Sequence, residues 1–290
     1  MIQSMTGFGK AVAELPDKKV TVEIKSLNSK QLDLNVRIPS AYREKEMQLR
    51  NEVMQSLERG KIDLVVGIEN IGSDTSTQIN RPLFASYLEQ GRAIAAQMHI
   101  AEPTDWFAVL LRLPDMVKSD AASPGDDEWT AVHGAFREAV RLLIDFRIQE
   151  GAMLQRFFEE KADRIAQLLR QTEAYEEERI EKIKNRIAEG LNRLGETDYD
   201  RNRFEQEMLY YIEKLDVTEE KKRLDNHLKY FADTLRAPHG QGKKLGFIVQ
   251  EIGREINTLG SKSNHAAMQQ LVVAMKDELE QVREQVLNAL

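Results

Sequence analysis

The spacing of the apolar residues changes once along this chain of 290 residues, and the change constrains the fold more than any other feature. In the first third, apolar and polar residues alternate, as they do from Val20 to Ile24 and again from Leu32 to Ile38. Beyond Glu128 the apolar residues recur every three or four positions, and almost no alternation remains. Alternation is typical of half-buried strands, whereas the longer spacing is typical of helices. The sequence therefore predicts an α+β fold in which a small sheet precedes an all-helical part.

Four short segments of the N-terminal third are strand candidates, and one helix lies among them. The strand candidates are Ile2 to Met5, Val20 to Ile24, Leu32 to Ile38 and Ile62 to Ile68. Leu49, Val53 and Leu57 are spaced by four, which is typical of an amphipathic helix, and we expect Gly60 to end this helix. Because the apolar face of a sheet must be covered by another layer, we predict a small antiparallel or mixed sheet with covering helices.

Glycine and proline mark several boundaries between elements. Gly7 and Gly9 predict a tight turn after the first strand, since glycine adopts backbone conformations that other residues resist. No third glycine follows at the spacing of a dinucleotide loop, and we expect no organic small-molecule cofactor. Pro82 fits the first turn of a helix, and we expect a second, short helix from Thr104. The segment from Ser119 to Asp127 has the composition of a surface loop.

The C-terminal part has the pattern of long antiparallel helices. From Ile165 to Leu194 the apolar residues keep a spacing of three and four, with Glu, Lys and Arg between them, which predicts a long two-helix arm. From Met268 to Leu290 the steps of four and three alternate. This pattern fits either a coiled-coil seam or a helix that packs on its own domain.

Length and composition exclude several classes of protein. Because domains usually have about 100 to 200 residues, we predict an α+β domain at residues 1–155 and a helical domain with the active site at residues 156–290. The chain has no Cys, so disulfides, thiolate nucleophiles and thiolate zinc sites are excluded, and we expect a cytoplasmic protein. It has neither a signal peptide nor an apolar run of about 18 residues, so we expect no membrane partner. The chain has 41 basic and 48 acidic residues, so its net charge is negative and does not attract nucleic acid. Any nucleic-acid site must therefore be a local basic patch.

A polar stripe between Asp216 and His227 is the first candidate site. On a helix, Asp216, Glu220, Arg223 and His227 would fall on one face. Carboxylates and an imidazole on one face suit a hard divalent cation or the exchange of protons. The same residues also fit an ordinary helix start at Asp216 and a solvated ion pair between Glu219 and Arg223. The pattern leaves both interpretations open.

The segment from Arg236 to His265 is positively charged within an acidic chain, as expected of a phosphate-binding site. Three glycines around Lys243 and Lys244 predict a flexible basic loop, in which backbone N–H groups can approach a phosphate closely. We expect a helix from Phe247 onward.

The predicted helix carries a second group of candidate residues. Glu251 and Glu255 repel each other at a spacing of four, and a cation between them would relieve this repulsion. The alternative is that Arg254 bridges the two carboxylates at the surface. Further along, Asn257 and Lys262 offer an amide and an ammonium group to phosphate oxygens.

Several motifs together resemble those of one known family. They are Ser4-Met-Thr-Gly-Phe-Gly9, Glu23-Ile-Lys-Ser-Leu-Asn28, Arg59-Gly-Lys-Ile-Asp63, the segment from Asp216 to His227, and Gln250-Glu-Ile-Gly-Arg-Glu-Ile-Asn-Thr-Leu-Gly-Ser-Lys262. Over nearly the whole chain they resemble the YicC/YloC family of bacterial proteins. The resemblance implies a metal-dependent endoribonuclease that cuts single-stranded RNA and assembles as a homohexamer, with the N-terminal domain forming subunit contacts and an RNA channel. The family usually has Asp and Asn where this chain has Gly246 and Gly253.

We combine the resemblance and the residue chemistry in one hypothesis, in which the two C-terminal segments share a site that binds a divalent cation and activates water. The predicted metal ligands are Asp216, Glu220, His227, Glu251 and Glu255. The predicted catalytic residues are His227, Glu251, Arg254 and Glu255. The predicted RNA-binding residues are Arg223, Lys243, Lys244, Asn257 and Lys262. Because no thiolate is available, oxygen and imidazole ligands favour Mg²⁺ or Mn²⁺ over structural zinc.

Two other classes of function fit the same residues. A non-catalytic RNA-binding oligomer would bind RNA in a salt-dependent way and would form no metal-dependent products. A purely structural coiled-coil scaffold would be indifferent to charge reversal at Lys243 and Lys244. Incubation with a labelled single-stranded RNA, with and without Mn²⁺, distinguishes the endoribonuclease, the non-catalytic RNA-binding oligomer and the structural scaffold.

Overall fold

The structure is a computed structural model that describes residues 2–71, 77–119, 125–193, 201–238 and 240–290. The chain forms two compact units, and each is built from separate stretches of sequence. The mixed unit comprises Phe8–Lys25 and Gln31–Leu143, and the helical unit comprises Met1–Gly7, Ser26–Lys30 and Ile144–Leu290. A small mixed sheet followed by a mostly helical region confirms the predicted α+β fold.

The main sheet has four strands in the order β1, β2, β4, β3. The strands are β1 (Gly7–Glu14), β2 (Lys18–Leu27), β3 (Leu32–Arg37) and β4 (Gly60–Asn70). β3 and β4 are parallel, with Leu32 opposite Gly60 and Arg37 opposite Val65. The connection between β1 and β2 is too short for a crossover, so these neighbouring strands are antiparallel. The sheet is therefore mixed.

The alternation in the sequence predicts correctly which side chains of β2 and β4 are buried. Val20, Val22 and Ile24 of β2 and Ile62, Leu64 and Val66 of β4 all lie in the core. Helix α1 (Glu46–Ser56) buries Leu49 and Val53, as predicted. This helix ends at Ser56 rather than at Gly60, although Leu57 beyond it is still buried. Gly60 instead begins β4 with a φ of 129°, a value that favours glycine.

The turn predicted at Gly7 and Gly9 is wrong, because both residues belong to β1. The inward positions of this strand carry the small residues Gly7, Gly9 and Ala13, whereas Phe8 and Val12 are exposed. A Cβ atom at Gly9 would lie 1.9 Å from the backbone oxygen of Ala139, so β1 packs closely against a helix. The usual alternation of apolar and polar residues is therefore absent from this strand.

The strand predicted from Ile2 to Met5 is also wrong. In the helical unit, Ser4 forms only an isolated bridge with Ala289. The backbone N–H of Met5 donates to the oxygen of Asn288 at 2.8 Å, and that of Leu290 donates to Gln3 at 2.8 Å. The partner of this segment is thus the short tail of the chain, which offers too few residues for a regular ladder.

The mixed unit contains two further helices and a small ribbon. The helices are α2 (Arg81–Met98) and α3 (Trp106–Leu110), and the ribbon pairs β5 (Thr77–Ile79) with β6 (Val117–Ser119) in antiparallel fashion. Pro82 lies in the first turn of α2, and the side chain of Asn80 caps this helix. The short helix expected near Thr104 is α3, which Asp105 caps. The ribbon was not predicted, because its strands are only three residues long.

A single helix, α4 (Asp126–Gln171), has 46 residues. The loop predicted from Ser119 to Asp127 falls partly outside the described residues, with β6 ending at Ser119 and α4 beginning at Asp126. The domain boundary predicted after residue 155 lies within this helix. Among the helices in the described ranges, none is long and apolar enough to cross a bilayer.

The helical unit continues with α5 (Glu176–Arg193), α6 (Arg201–Lys214), α7 (Thr218–Arg236), α8 (Gly242–Lys262) and α9 (Ala266–Val286). The apolar face of α9 is buried within the chain itself, through Met268, Val272, Met275, Leu279, Val282 and Val286. The heptad spacing thus describes a helix packed on its own unit, one of the two interpretations left open by the sequence. The segment predicted to form a two-helix arm, Ile165 to Leu194, comprises the end of α4 and then α5, and Leu194 itself lies outside the described residues.

Candidate functional site

Helices α7 and α8 form a hairpin in the helical unit. Only residues 237–241 connect them, so the two helices run antiparallel. Leu224 and Phe231 of α7 share an apolar core with Ile252 and Leu259 of α8. This packing places the end of α8 beside the start of α7.

Lys262, the last residue of α8, connects the two candidate segments. Its Nζ atom lies 2.7 Å from Oε1 of Glu220 and donates to the backbone oxygen of Asp216 at 3.0 Å. From α5, Nη1 of Arg179 donates to the backbone oxygen of Leu215 at 2.7 Å and to that of Lys262 at 3.5 Å. We name Arg179, Asp216, Glu220 and Lys262 the Lys262 cluster. The structure thus brings together three of the residues that the sequence selected from separate segments.

Asp216 lies two residues before the start of α7 and has a lowered pKa. Its Oδ1 atom accepts hydrogen bonds from the hydroxyl of Thr218 at 2.8 Å and from the backbone N–H of Thr218 at 3.1 Å. Burial alone would raise the pKa of Asp216, but these hydrogen bonds, a further one from the backbone of Val217 and the charge of Arg179 lower it below its usual value. One oxygen of this predicted metal ligand is therefore already used to organise the helix start.

Two buried charged groups of the cluster are incompletely satisfied. Oε2 of Glu220 and Nε of Arg179 have no hydrogen-bond partner within the described ranges, and both residues are buried. An unsatisfied buried polar atom typically costs about 1 to 3 kcal/mol, so it is rare unless an additional group binds there. The cluster therefore offers one acceptor and one donor to a bound water, ion or substrate atom.

His227 and Glu255 lie two helical turns from the Lys262 cluster. His227 follows Glu220 by seven residues in α7, and Glu255 precedes Lys262 by seven residues in α8. Because seven residues make about two helical turns, each lies on the same helix face as its counterpart, about 10 Å away along the axis. The side chain of Glu255 is buried and that of His227 is half-buried. Neither has a hydrogen bond or ion pair with any described residue. A carboxylate and an imidazole without partners thus lie on the facing sides of the hairpin.

One exposed face of α8 carries a continuous row of polar and aromatic side chains. This α8 stripe consists of Lys243, Phe247, Gln250, Arg254, Asn257 and Ser261, which follow steps of four and three and are all exposed. Phe247 is 68% exposed, which is unusual for a phenylalanine beside a buried core. Cationic, amide, hydroxyl and aromatic groups in one row are suited to the phosphates and bases of a nucleic acid.

The basic loop predicted around Lys243 and Lys244 is wrong. α8 begins at Gly242 rather than at Phe247, because Gly242 and Leu245 are buried and hold the first turn against the core. Lys243 and Lys244 are exposed on this helix, and Nζ of Lys244 lies 4.8 Å from the ring centroid of Tyr230.

The predicted site residues extend along the hairpin and do not converge on one point. At the helical rise of about 1.5 Å per residue, Lys243 is about 28 Å from Lys262, and Glu251 is about 16 Å from it. Glu251, Arg254 and Asn257 are exposed. Arg223 is exposed as well and pairs with Glu219 at 2.6 Å, which is the ordinary surface pair considered as the alternative.

The five predicted metal ligands do not form one coordination shell within a single chain. In the described ranges, no three His, Asp or Glu side chains lie close enough together to hold a metal ion. Ligands of one Ca²⁺ or Mg²⁺ ion lie within about 2.6 Å of it, which is incompatible with a set spread along two helices. Oε2 of Glu220 is a fully buried carboxylate oxygen with no hydrogen-bond partner among the described residues. The donor set therefore fits a cation bound by one carboxylate together with water and substrate oxygens.

The sequence did not single out Arg179 as a site residue. It lies in a run of charged residues in α5, and only the tertiary structure distinguishes it as buried. His265 is also buried, at the start of α9, where its Nδ1 accepts from the backbone N–H of Met268 at 3.5 Å. Its Nε2 faces Oε1 of Glu178 at 3.3 Å. His239, the other histidine of the basic segment, lies outside the described residues.

The fold and site are those of a two-part α+β protein with a charged helical hairpin, and comparison with known proteins identifies the class. The family described as "Endoribonuclease YicC-like, N-terminal region" matches residues 2–156, and "Endoribonuclease YicC-like, C-terminal" matches residues 155–289. The chain therefore belongs to the YicC-like endoribonuclease family. It is 31% identical to "Probable endoribonuclease YicC" of Clostridioides difficile (strain 630) and 30% identical to the protein of the same name of Haemophilus influenzae (strain ATCC 51907 / DSM 11121 / KW20 / Rd), with 99% of both chains covered in each case.

Proposed function

We propose that this protein is an endoribonuclease that hydrolyses phosphodiester bonds of single-stranded RNA with a divalent cation. Its membership of the YicC-like family supports the reaction, since both halves of the chain match and two relatives carry that name. The contact between Lys262 and Glu220 supports the location, because it joins the two candidate segments beside an unsatisfied buried carboxylate oxygen.

Hydrolysis of RNA requires a group that exchanges protons and positive charge that stabilises the phosphate in the transition state. In our proposal His227 exchanges the proton, since its ring is half-buried and unpaired among the described residues, and Glu255 on the facing helix supplies a second group that can exchange protons. Lys262 and Arg254 stabilise the phosphate charge. Glu251, exposed beside the α8 stripe, remains a candidate for a catalytic carboxylate.

The proposed cation, Mn²⁺ or Mg²⁺, would bind to Oε2 of Glu220. Mg²⁺ is usually held by one or two carboxylates, with water and phosphate oxygens completing its coordination, so a single protein oxygen is compatible with it. When bound, such an ion polarises a phosphate and lowers the pKa of its water.

The α8 stripe is the proposed path of the RNA strand. Lys243, Arg254 and Asn257 can contact phosphates and riboses, while Phe247 can stack on an unpaired base. The preference for single strands follows from Phe247, because a base within a duplex is already stacked and cannot lie on the ring. Lys244 adds charge beside the stripe.

The direct test is cleavage of a labelled single-stranded RNA and of the same sequence as a duplex, with Mn²⁺, with Mg²⁺ and with EDTA. We expect cutting of the single strand with a metal ion only, and its loss in Glu220→Gln and His227→Ala. Glu219→Gln, an exposed carboxylate on the same helix, is the matched control and should cut normally. Undiminished cleavage by both site variants would refute the assignment. Salt-sensitive RNA binding without any products would favour the non-catalytic RNA-binding oligomer.

We also propose a cytoplasmic homohexamer. The mixed unit supports the assembly, because Met98, Ile100 and Phe107 lie in or next to the contacting helices α2 and α3 and are each at least 60% exposed, and exposed apolar patches mark contact surfaces. The absence of Cys supports the location. Light scattering of the purified protein should give six times the 33.3 kDa chain mass.

A further inference from the structure

The helical unit contains a cavity that belongs to neither the Lys262 cluster nor the α8 stripe. Its volume is about 340 Å³, and its walls come from the N-terminal segment, the second half of α4 and the end of the chain. Ser4, Thr6 and Glu150 form its polar part, and Met153 and Phe157 contribute apolar surface. Met153 is 61% exposed, so the cavity is open to solvent. Its size is that of typical small-molecule sites, which begin at about 300 Å³.

The polar side of the cavity has one carboxylate oxygen left for a ligand. Oε2 of Glu150 accepts from the hydroxyl of Thr6 at 2.8 Å and from that of Ser4 at 3.3 Å. Ser4 is 1% exposed, and its hydroxyl lies 2.8 Å from that of Thr6, so the pair holds Glu150 in place. No described residue donates a hydrogen bond to Oε1 of Glu150. This atom is therefore available to accept a hydrogen bond from a ligand hydroxyl.

A chain of amides supplies a donor on the same cavity wall. Asn28 donates to Oδ1 of Asn288 at 3.4 Å, and Nδ2 of Asn288 donates to Oε1 of Gln285 at 3.3 Å. Because the amide oxygen of Gln285 is occupied in this way, its NH₂ group remains to bind an acceptor. Gln285 and Asn288 both line the cavity.

The charge of the cavity disfavours phosphate as its ligand, and the ammonium group of Lys161, 5.5 Å from the ring centroid of Phe157, is already paired with Glu278 at 2.7 Å. No lysine or arginine is among the described residues that line it, and a carboxylate repels an anion. The remaining features are an acceptor for a hydroxyl, an amide donor and the ring of Phe157. These match the ribose hydroxyls, the polar edge and the planar face of a nucleoside.

We propose that this cavity binds the nucleoside part of an unpaired ribonucleotide, whose 2′-hydroxyl donates to Glu150 and whose base packs on Phe157. The inference rests on the proposed function, since it takes RNA as the polymer that supplies the nucleoside. It assigns to Glu150 the distinction between RNA and DNA, because the 2′-hydroxyl is the group that differs between them at a given position.

The test is equilibrium binding in EDTA, measured by fluorescence anisotropy with a labelled RNA and a DNA of the same sequence. Glu150→Gln keeps an oxygen for Ser4 and Thr6 but loses the charge that strengthens the bond to the 2′-hydroxyl. We expect RNA affinity to fall about ten-fold and DNA affinity to stay unchanged, as loss of a charge-assisted hydrogen bond predicts. Glu160→Gln, which removes an exposed carboxylate further along α4, should change neither. An unchanged ratio of RNA to DNA affinity in Glu150→Gln would overturn the inference.

A second variant and a second ligand complete the test. Phe157→Leu should weaken binding of RNA and DNA alike, and normal affinities in that variant would contradict stacking on the ring. Calorimetric titration with adenosine and 2′-deoxyadenosine shows whether the cavity binds a free nucleoside or only a nucleotide that is part of a strand. Binding of adenosine that Glu150→Gln abolishes would support the same chemistry with a free ligand. If the protein cuts RNA while Glu150→Gln behaves as wild type in both assays, the inference fails and the proposed function stands.

Discussion

Nζ of Lys262 lies 2.7 Å from Oε1 of Glu220, although 42 positions separate the two residues in sequence. The Glu220 side chain is 7% exposed and that of Lys262 is 29% exposed, so the pair spans the boundary between the core and the solvent. Such a pair stabilises the fold less than its charges suggest, but removal of one partner leaves the other buried and unpaired.

Lys262→Met should therefore destabilise the helical unit. We expect a loss of about 1 to 3 kcal/mol in the free energy of unfolding, since the buried Glu220 carboxylate loses its ion pair while partial exposure of the site limits the effect. Urea unfolding followed by circular dichroism measures the change. Glu220→Gln combined with Lys262→Met should recover part of the loss. The exposed Lys276→Met on α9 should have little effect, and equal losses at both lysines would contradict the prediction.

The mixed unit should lose stability in acid through Glu52. His133 Nε2 lies 2.7 Å from Oε1 of Glu52. Burial alone would raise the pKa of Glu52, but hydrogen bonds from His133, Gln48 and Arg137 and the charge of His133 lower it. Because the folded pKa is lower than the unfolded one, this contribution is complete above about pH 5 and is lost as the pH falls through the folded pKa.

The comparison of wild type with His133→Phe isolates this contribution. Phenylalanine keeps an aromatic ring between Trp129 and Phe136, whose ring centroids lie 5.4 and 6.0 Å from that of His133. The variant removes the partner of Glu52, so its melting temperature should fall less steeply between about pH 5 and pH 3. Parallel curves for the two proteins would show that Glu52 is not responsible.

The close approach of β1 to α4 predicts that Gly9→Ala is strongly destabilising. The new Cβ atom would lie 1.9 Å from the backbone oxygen of Ala139, and neither backbone can yield easily. We expect a loss of about 3 kcal/mol in the free energy of unfolding. Gly67→Ala in β4 is the matched control, because nothing lies within 4 Å of its Cβ position, and it should be neutral or stabilise by about 0.5 kcal/mol. A tolerated Gly9→Ala would mean that β1 does not pack against α4 in solution.

The two glycines that depart from the family pattern should respond differently to substitution. A Cβ atom at Gly246 would meet nothing within 4 Å, so Gly246→Asp should fold normally and raise RNA cleavage if that carboxylate takes part in catalysis. At Gly253, Nη2 of Arg283 would be 2.9 Å away, so Gly253→Asn must displace this side chain. We expect a lower melting temperature for Gly253→Asn only. A loss of stability in Gly246→Asp would contradict the open space seen at that position.

Charge reversal at Lys243 and Lys244 tests the α8 stripe. The double variant Lys243→Glu, Lys244→Glu should weaken RNA binding and reduce the slope of log affinity against log salt by about 1 to 2, since each phosphate contact releases condensed counterions. Both side chains are exposed, so the melting temperature should hardly change. RNA affinity and salt slope equal to those of wild type would support the structural scaffold instead.

The strands β2 and β4 and the buried face of α9 could be predicted from the sequence, because the polarity of each side chain there follows its own burial. Strand β1 could not, since its inward positions are small to admit α4, and this requirement is invisible without the helix. The beginning of α8 was placed too late because glycine suggests a loop, whereas Gly242 is buried within the helical unit. The sequence does not distinguish Arg179 from the other charged residues of α5, and only the tertiary structure shows that it is buried.

The sequence by itself determined the α+β class, the family and the two segments that carry the candidate site, because periodicity and motifs are local properties of the chain. Only the tertiary structure decided that Lys262 meets Glu220, that Glu251 and Lys243 lie elsewhere along α8, and that Ser4 and Thr6 hold Glu150 beside a cavity. Distances between separate segments depend on how helices pack, and helix packing is set by the whole apolar core. No single segment contains that information.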